Sequence, residues 1–412
     1  IRMKKGYLSE YFDGVAAKCL SAVEVNLFRS NQHEFNGVRS LRRIFGHATG
    51  RQHFPAVFLY LDDVREPVSE EGFMTWYDAR EAHPVRSEYR LYFPDTDVSR
   101  HAEEGDVLII GKRPDGSLMV VISQGGSTAA NQILWLFGLG NLSDGGFSVR
   151  DEFRDEENRT RHAVKTILET LGIVTREEDE SFLDDMLASF GESFPCTRVF
   201  SEYARKTLPD LNPREDPDYV LLAWLEQEEV LFRTLEKYLI TDRLKEGFGD
   251  DVDSFISFSL SVQNRRKSRA GHALENHLEE IFISRQICYQ RGATTENRAR
   301  PDFLFPSGGE YHDPFFDSNL LTMLGAKSTC KDRWRQVLSE AERIPDKHLL
   351  TLETAISTAQ TDEMRGHRLQ LVVPEPLAET YTTAQRDWLL DLRSFCEIVS
   401  GKQKKSGGRL LL

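Results

Sequence analysis

The stretch Arg300-Pro301-Asp302-Phe303-Leu304-Phe305 decides how the C-terminal half of this chain is interpreted. It places an aspartate at the opening of a short apolar run. Within residues 320–329 a second apolar run ends at Lys327. A carboxylate at a strand end is well placed to hold a hard cation such as magnesium. A lysine at the end of a buried strand requires an anionic partner. The alternatives are a strand-entry turn at Asp302 and a solvated Lys327.

Taken together, an aspartate on one strand and a lysine on the next are similar to the PD-(D/E)XK nuclease core. In that core a second carboxylate lies two residues before the lysine, where this chain has Gly325. A known variant carries this carboxylate on the following helix. On a helix beginning near residue 331, Glu340 shares a face with Val337 and points back at the strand ends. An exposed helical glutamate is the alternative.

The patterns around this pair predict a small mixed sheet flanked by helices, an α/β domain. Helices are predicted over residues 217–240, 250–262, 270–284, 332–343 and 383–399, and strands over 286–290, 301–305, 321–328 and 369–374. Glu275 flanks the apolar stripe of one of these helices and is a further candidate metal ligand. A solvated glutamate fits the same pattern.

Residues 1–150 form a different region, in which short β-type runs are separated by turn signals. The runs are residues 56–61, 89–93, 107–111 and 118–122, and the last two predict a hairpin around Pro114-Asp115-Gly116. Many short strands favour a barrel or a sandwich. Residues 151–182 are interpreted as a charged helical connector and residues 183–412 as the second domain.

The composition sets limits on the class of protein. A length of 412 residues favours two domains, and 40% hydrophobic with 29% charged residues indicates a globular chain without a membrane span. The five cysteines are scattered and form no CxxC pair, which argues against zinc and favours a reducing cytoplasm. The net charge of −14 alone argues against nucleic-acid binding, yet residues 264–269 and 331–335 are dense basic clusters.

Several blocks in order resemble the catalytic domain of EcoRII-type restriction endonucleases. The blocks are residues 245–249, 262–271, 301–307, 310–313 and 329–336, and the resemblance runs from about residue 183 to 375. It implies a PD-(D/E)XK fold with a swapped active-site glutamate. The implied catalytic residues are Asp302, Lys327, Glu340, Glu275 and Tyr311, and the implied Mg²⁺ ligands are Asp302, Glu340 and Glu275.

The resemblance also implies which residues contact DNA. The run Lys331, Asp332 and Arg333 corresponds to the family's reader of CC and GG ends, and the chemistry agrees: Lys and Arg donate to guanine O6 and N7, and Asp accepts from cytosine N4. The alternative is the first turn of a helix with surface charges. Further candidate DNA contacts in the basic cluster are Arg265, Arg266 and Arg269.

The N-terminal region resembles, more faintly, the family's effector domain, a DNA-binding pseudobarrel. This rests on residues 28–37 and 85–90, which correspond to two arms that grip the major groove. The candidate DNA contacts of the two arms are His33, Glu34, Arg86, Glu88 and Arg90. The last three alternate and therefore share one face of a strand, although an ordinary edge strand has the same pattern.

One departure from the family concerns the centre of the DNA site. Some members hold flipped bases with an arginine and an aromatic residue, where this chain has Leu225 and Glu229. The CC/GG ends are therefore expected, whereas the central bases, CCWGG or CCNGG-like, stay open.

The expected function is that of a type IIE restriction endonuclease of the bacterial cytoplasm, which cleaves double-stranded DNA and leaves 5′-phosphates. A palindromic target predicts a homodimer through the C-terminal domain. The N-terminal domain is expected to bind an effector copy of the site, and a cognate methyltransferase to protect host DNA. The alternatives are a sequence-specific DNA-binding protein with an inactive nuclease-like domain and a repair nuclease with the same core.

Overall fold

The computed structural model describes residues 7–25, 33–35, 38–48, 50–63, 67–83, 85–140, 142, 146–153, 161–173, 180–329 and 333–406. The chain divides into two compact units. Unit 1 comprises Ile1–Arg159, Ala355–Thr358 and Thr380–Thr382, and unit 2 comprises Thr160–Thr354, Ala359–Glu379 and Thr383–Leu412. In the part of the chain described, no helix is both long and apolar enough to span a membrane.

Unit 1 is built on a seven-stranded mixed sheet. Its strands are β1 (Gly14–Cys19), β2 (Gln52–Leu61), β3 (Val68–Asp78), β4 (Tyr89–Tyr92), β5 (Val107–Lys112), β6 (Leu118–Ser123) and β7 (Ser148–Arg150). Its helices are α1 (Ala22–Val25), α2 (Arg42–Phe45), α3 (Asp97–His101) and α4 (Thr128–Phe137). The strand order is β4-β3-β2-β6-β5-β1-β7, in which β2 and β6 are parallel and the other pairs antiparallel.

The β5–β6 hairpin shows why these residues form strands. Lys112 pairs with Leu118 across the turn that contains Gly116, whose φ of +84° is readily adopted only by glycine. The side chains of the sheet bury a core around Trp76. The prediction of a mainly β N-terminal region and of this hairpin is confirmed.

Unit 2 is an α/β domain, as predicted. Its helices are α5 (Arg161–Thr170), α6 (Leu183–Phe190), α7 (Thr197–Lys206), α8 (Pro217–Glu246), α9 (Val252–Ser284), α10 (Gly308–His312), α11 (Trp334–Leu338), α12 (Thr358–Gly366), α13 (Glu375–Ala378), α14 (Thr383–Arg386) and α15 (Leu392–Lys405). Its strands are β8 (Gln290–Arg291), β9 (Phe303–Phe305), β10 (Thr322–Lys327), β11 (Lys347–Thr351) and β12 (Leu369–Val372).

The five-stranded sheet of unit 2 has the order β12-β11-β10-β9-β8. The pairs β8–β9 and β9–β10 are antiparallel, whereas the pairs β10–β11 and β11–β12 are parallel. Phe303 pairs with Leu324, so the start of β9 lies beside the end of β10. This register brings Asp302 and Lys327 to the same edge of the sheet.

Four predicted helices differ from the structure, and the one predicted over residues 383–399 is divided into α14 and α15. The segments predicted separately over residues 250–262 and 270–284 form one continuous helix, α9, which begins at an Asp251 cap. The helix predicted over residues 332–343 is only the short α11, which ends at Leu338. The assignment of the two units as effector and catalytic domains, with limits at residues 150 and 183, stays a prediction.

Candidate active site

Asp302 and Lys327 form the centre of the candidate site. The Lys327 Nζ donates to Asp302 Oδ2 over 2.8 Å, and the Ala326 backbone nitrogen donates to the same oxygen over 2.7 Å. Both side chains are largely but not fully buried. Asp302 Oδ1 accepts no hydrogen bond from the residues that the structure describes, so this oxygen is available to a further ligand.

Glu340 lies two residues beyond the end of α11, in a loop, and not on the helix itself. Burial raises its pKa to about 7, the Asp302 carboxylate adds to the rise, and Lys327 and Lys347 oppose it. These charges show that Glu340 lies near Asp302 and Lys327. Its Oε2 is buried and has no hydrogen-bond partner among the described residues. A loop, and not the predicted helix, therefore carries Glu340, and its role as a metal ligand stays a prediction.

Gly325 explains why the second carboxylate is not on the strand. A Cβ added at this position would lie 3.0 Å from Val337 Cγ2 of α11, closer than ordinary side-chain packing allows. The helix therefore packs directly against β10 at the point where the usual core carries its carboxylate. Because Gly325 has no side chain, α11 can approach β10. The loop that follows α11 then contains Glu340.

Glu275 does not join this cluster. It accepts hydrogen bonds from Arg291 of β8, at 3.1 Å from the Nε atom. Among the described residues, no group of three or more His, Cys, Asp or Glu side chains could hold a metal ion. Arg291 pairs with Glu275, so Asp302 and Glu340 are the two carboxylates of the central cluster, and a role of Glu275 as metal ligand stays a prediction.

Tyr311 is buried, with 1% of its surface exposed. The hydroxyl donates to Glu296 Oε2 over 2.5 Å and accepts from the Arg343 backbone nitrogen over 3.2 Å. Burial and the bond to Glu296 raise the pKa of Tyr311. The hydroxyl thus contacts the loop that carries Glu340, and not Asp302 or Lys327.

The residues predicted to contact DNA in unit 2 are only partly accessible. Lys331 and Asp332 lie outside the described residues, and Arg333 is exposed immediately before α11. Arg265 lies over the Phe194 ring at 4.8 Å, and Arg266 pairs with Glu236.

Arg269 differs from its neighbours because it is 7% exposed and forms an ion pair with Glu228. The structure therefore places Arg269 in the helical core. The basic cluster looked uniform in sequence, but α9 turns this residue inward.

In unit 1, the predicted contacts of the two arms interact with one another. Arg90 donates to Glu34 over 2.6 Å and also pairs with Glu88. Arg86 is exposed and precedes β4, which begins at Tyr89, so the predicted single strand face does not extend to it. His33 has a positive φ of +33° and lies beside the Phe93 ring.

The two positions that depart from the family face one cavity of unit 2. Leu225 and Glu229 line it together with Ser328 and Thr329, the residues that follow Lys327, and its volume is about 290 Å³. Glu229 bonds Arg233 over 2.6 Å and lies 3.6 Å from Lys165 of α5. These partners keep the pKa of Glu229 below its usual value, although burial opposes this effect.

Two residues near the site were not found from the sequence, Glu296 and Lys347. Lys347 is buried at the start of β11, and burial lowers its pKa. The available signal was a lysine that opens the apolar run Lys347-His348-Leu349-Leu350, which resembles the signal used for Lys327. No comparable pattern marked Glu296.

The site fits a divalent cation. Asp302 helps to raise the pKa of Glu340, whose Oε2 is buried without a partner among the described residues, and a hard cation would stabilise this arrangement. Carboxylate oxygens are the ligands that Mg²⁺, Mn²⁺ and Ca²⁺ share. Asp302 and Glu340 are the residues that would hold it.

The mixed sheet, its flanking helices and the Asp302–Lys327 pair at the strand ends define an α/β domain with a charged cluster at one sheet edge. Residues 232–396 match the family model described as EcoRII C terminal. This region of the chain is therefore similar to the EcoRII C-terminal family, in agreement with the resemblance found in the sequence.

Comparison with known proteins extends this result. The chain is 46% identical over 187 residues to the type II restriction enzyme EcoRII of Escherichia coli. The aligned region covers 45% of this chain and 46% of that protein, so the chain matches about half the length of its curated relative.

Two solved structures are also similar. Metal-depleted Ecl18kI in complex with uncleaved, modified DNA gives a TM-score of 0.46 at 18% identity, over 57% of this chain and 86% of that one. The PspGI–substrate DNA complex gives a TM-score of 0.44 at 14% identity, over 52% and 94%.

Proposed function

We propose that this chain is a type II restriction endonuclease that hydrolyses phosphodiester bonds of double-stranded DNA at a short palindrome with CC/GG ends. The observation that carries the proposal is the meeting of Asp302, Lys327 and Glu340 at one sheet edge, within a domain that matches the EcoRII C-terminal family. The central bases of the site, CCWGG or CCNGG-like, stay open because Leu225 and Glu229 replace the family's pocket residues.

In this proposal Asp302 and Glu340 would hold Mg²⁺. When bound, such an ion would supply a water of lowered pKa and would offset negative charge on the phosphate. Lys327 is anchored by Asp302 Oδ2 and presents its remaining protons to the attacking water and to a phosphate oxygen. The attack is in line, without a covalent enzyme intermediate, and leaves 5′-phosphate ends.

The partners in this proposal follow from the target. A palindrome has two-fold symmetry, so two copies of the chain pair through their C-terminal domains. Unit 1 binds a second copy of the DNA site, and a cognate methyltransferase protects the host DNA in the bacterial cytoplasm. Arg333, together with Lys331 and Asp332, supplies donors and an acceptor that match guanine and cytosine edges.

The test is digestion of unmodified phage DNA with Mg²⁺ or with EDTA, followed by sequencing of the cut ends. We expect discrete bands with Mg²⁺ only, and Lys327→Ala should abolish cutting while it keeps specific DNA binding. Cutting by Lys327→Ala at nearly the wild-type rate would overturn the assignment of this residue. Sequence-independent or lesion-dependent cutting indicates a repair nuclease, and binding without cutting indicates a DNA-binding protein.

A further inference from the structure

The loop of residues 339–346, which follows α11 and carries Glu340, has an unusual backbone conformation. Ala341 is fully buried and has a φ of +50°, in the left-handed region that residues other than glycine adopt at a cost. The conformation at Ala341 sets how Glu340 is oriented relative to the part of the loop that follows. Neighbouring groups must therefore stabilise the loop if Glu340 is to stay beside Asp302.

Lys347 holds the loop from the side of the sheet. Its Nζ donates to the carbonyl oxygens of Ala341 over 3.0 Å and of Ile344 over 2.9 Å. The side chain is 6% exposed, and Lys347 takes part in no ion pair with the described residues. A buried ammonium is costly unless its protons are bonded, and here the loop carbonyls accept them.

Glu296 and Tyr311 hold the loop from the other side. The Tyr311 hydroxyl bonds Glu296 Oε2, and the same carboxylate oxygen accepts from the Glu342 backbone nitrogen over 3.3 Å. The Tyr311 hydroxyl in turn accepts from the Arg343 backbone nitrogen. Polar backbone groups on both sides of the turn after Glu340 are therefore satisfied by side chains from outside the loop.

We propose that Lys347, assisted by the Glu296–Tyr311 pair, is a positioning residue that fixes the Glu340 loop so that its carboxylate reaches the metal held with Asp302. Lys347 does not touch the substrate or the metal; it acts through the carbonyl oxygens of the loop. The inference rests on the proposed function, because it concerns one of the two residues that would bind the ion.

The test compares two lysine substitutions in the full chain. Lys347→Met removes the ammonium and keeps much of the side-chain volume. Lys402→Met is the matched control, because Lys402 Nζ also holds the backbone of unit 2, through Leu321 O at 3.0 Å and Thr322 Oγ1 at 3.0 Å. These contacts are at the start of β10, the end of the strand opposite Lys327.

The main measurement is binding of Mn²⁺ alone, followed by the electron paramagnetic resonance signal of the free ion. We expect Lys347→Met to weaken Mn²⁺ binding by roughly 10- to 100-fold, the range typical of groups that orient metal ligands. Lys402→Met should bind Mn²⁺ as the wild type does, although both substitutions lower the melting temperature. Raising the Mn²⁺ concentration should restore DNA cleavage by Lys347→Met, and its affinity for duplex DNA in Ca²⁺ should stay unchanged.

A double mutant shows whether Lys347 acts through Glu340. In a Glu340→Gln background, Lys347→Met should weaken Mn²⁺ binding no further. The proposal is wrong if Lys347→Met binds Mn²⁺ like the wild type, or if the two substitutions weaken binding independently.

Two further outcomes are separable. If Lys347→Met does not fold, Tyr311→Phe tests the same loop, because it keeps the buried ring and removes only the hydroxyl; unchanged Mn²⁺ binding there contradicts the proposal. If the variants show this pattern of Mn²⁺ binding but the wild-type chain never cuts DNA, the proposed function is wrong and the positioning role of Lys347 is kept.

Discussion

Two glutamates in the interior of unit 2 are treated in opposite ways by their surroundings. Glu228 of α8 is 3% exposed; Arg269 Nη2 donates to its Oε1 over 2.9 Å, and His277 Nε2 lies 3.1 Å from its Oε2. Glu340 forms no ion pair with the described residues. The charged group with the largest effect on its pKa is another carboxylate, Asp302. Burying a charge is costly in both places, but of these two glutamates Glu228 has an ion-pair partner among the described residues and Glu340 has none.

The surroundings of Glu228 indicate a structural role. Arg269 lies between two aromatic rings, 4.3 Å from the centre of Phe200 and 4.5 Å from that of Phe232. Burial lowers the pKa of both Arg269 and His277, and Glu228 opposes this effect. The counter-charge of Arg269 makes Glu228 a poorer candidate for a cation, although its Oε2, like that of Glu340, accepts no hydrogen bond from the described residues. The uncompensated Glu340 is the one expected to bind a cation.

The largest expected effect is that of Glu340→Gln, which tests this distinction directly. Removing one of two metal-binding carboxylates should lower the cleavage rate by on the order of 10³-fold, about 4 kcal/mol of transition-state stabilisation. The melting temperature without metal should stay the same or rise, because the substitution removes repulsion from Asp302. Single-turnover cleavage and thermal unfolding measure the two quantities. A variant that loses stability in proportion to activity contradicts the functional role of Glu340.

The second effect concerns the compensated glutamate. Glu228→Gln should lower the free energy of unfolding by about 3 kcal/mol, because it leaves the buried Arg269 without its counter-charge. The cleavage rate of the folded fraction, measured well below the melting temperature, should change little. Denaturant unfolding checks the first expectation. If Glu228→Gln is as stable as the wild type but inactive, Glu228 belongs to the active site and the comparison fails.

The residues of the candidate site show what the sequence could predict. Asp302 and Lys327 were found because each marks the end of an apolar strand, and that signal lies within a few neighbouring positions. Their meeting follows from the antiparallel register of β9 and β10, which is the usual consequence of sequential strands. The position of Glu340 was predicted from its spacing, although a loop and not a helix presents it.

Other features depended on contacts between distant parts of the chain. Arg269 was grouped with Arg265 and Arg266 as a basic surface, but its partner Glu228 is on another helix, 41 residues away. Glu275 flanked an apolar stripe as predicted, and its partner Arg291 lies on another element, β8. Charge patterns along one helix do not show which charges a neighbouring element neutralises.

His348 is a third buried titratable side chain, and it extends the comparison because burial keeps it neutral. Burial, with help from Lys402, lowers the pKa of His348 to about 4, from an ordinary value of 6.5. The unfolded chain therefore binds more protons between these values, and the stability contributed by neutral His348 is lost as the pH falls through this window. His348→Phe should remove this loss, worth about 2 kcal/mol near pH 5 relative to neutral pH.

Denaturant unfolding of wild type and His348→Phe at several pH values measures this difference. The Phe ring fits the site because His348 already packs edge-on against Phe395 at 5.2 Å between ring centres. Parallel pH profiles of the two proteins contradict the low pKa of His348. Asp346 opposes the shift, so Asp346→Asn should widen the difference slightly.

The smallest expected effect comes from Gly325→Ala, which displaces Glu340 without touching its charge. The new Cβ would meet Val337 Cγ2 at 3.0 Å and Leu349 Cδ1 at 3.5 Å, so α11 must move by a few tenths of an ångström. We expect cleavage to fall by about 10-fold, because small misplacements of a catalytic group are costly. Single-turnover cleavage rates measure the change.

Val337→Ala in the Gly325→Ala background separates a steric cause from a loss of strand stability. Shortening Val337 removes both methyl groups nearest to the new Cβ, at 3.0 and 3.4 Å, so α11 can return towards β10 and Glu340 towards Asp302. The double mutant should therefore cut faster than Gly325→Ala alone, even though Val337→Ala removes buried methyl groups and lowers stability. Activity that falls further in the double mutant would show that Gly325 matters for the strand, and that the approach of α11 does not set the position of Glu340.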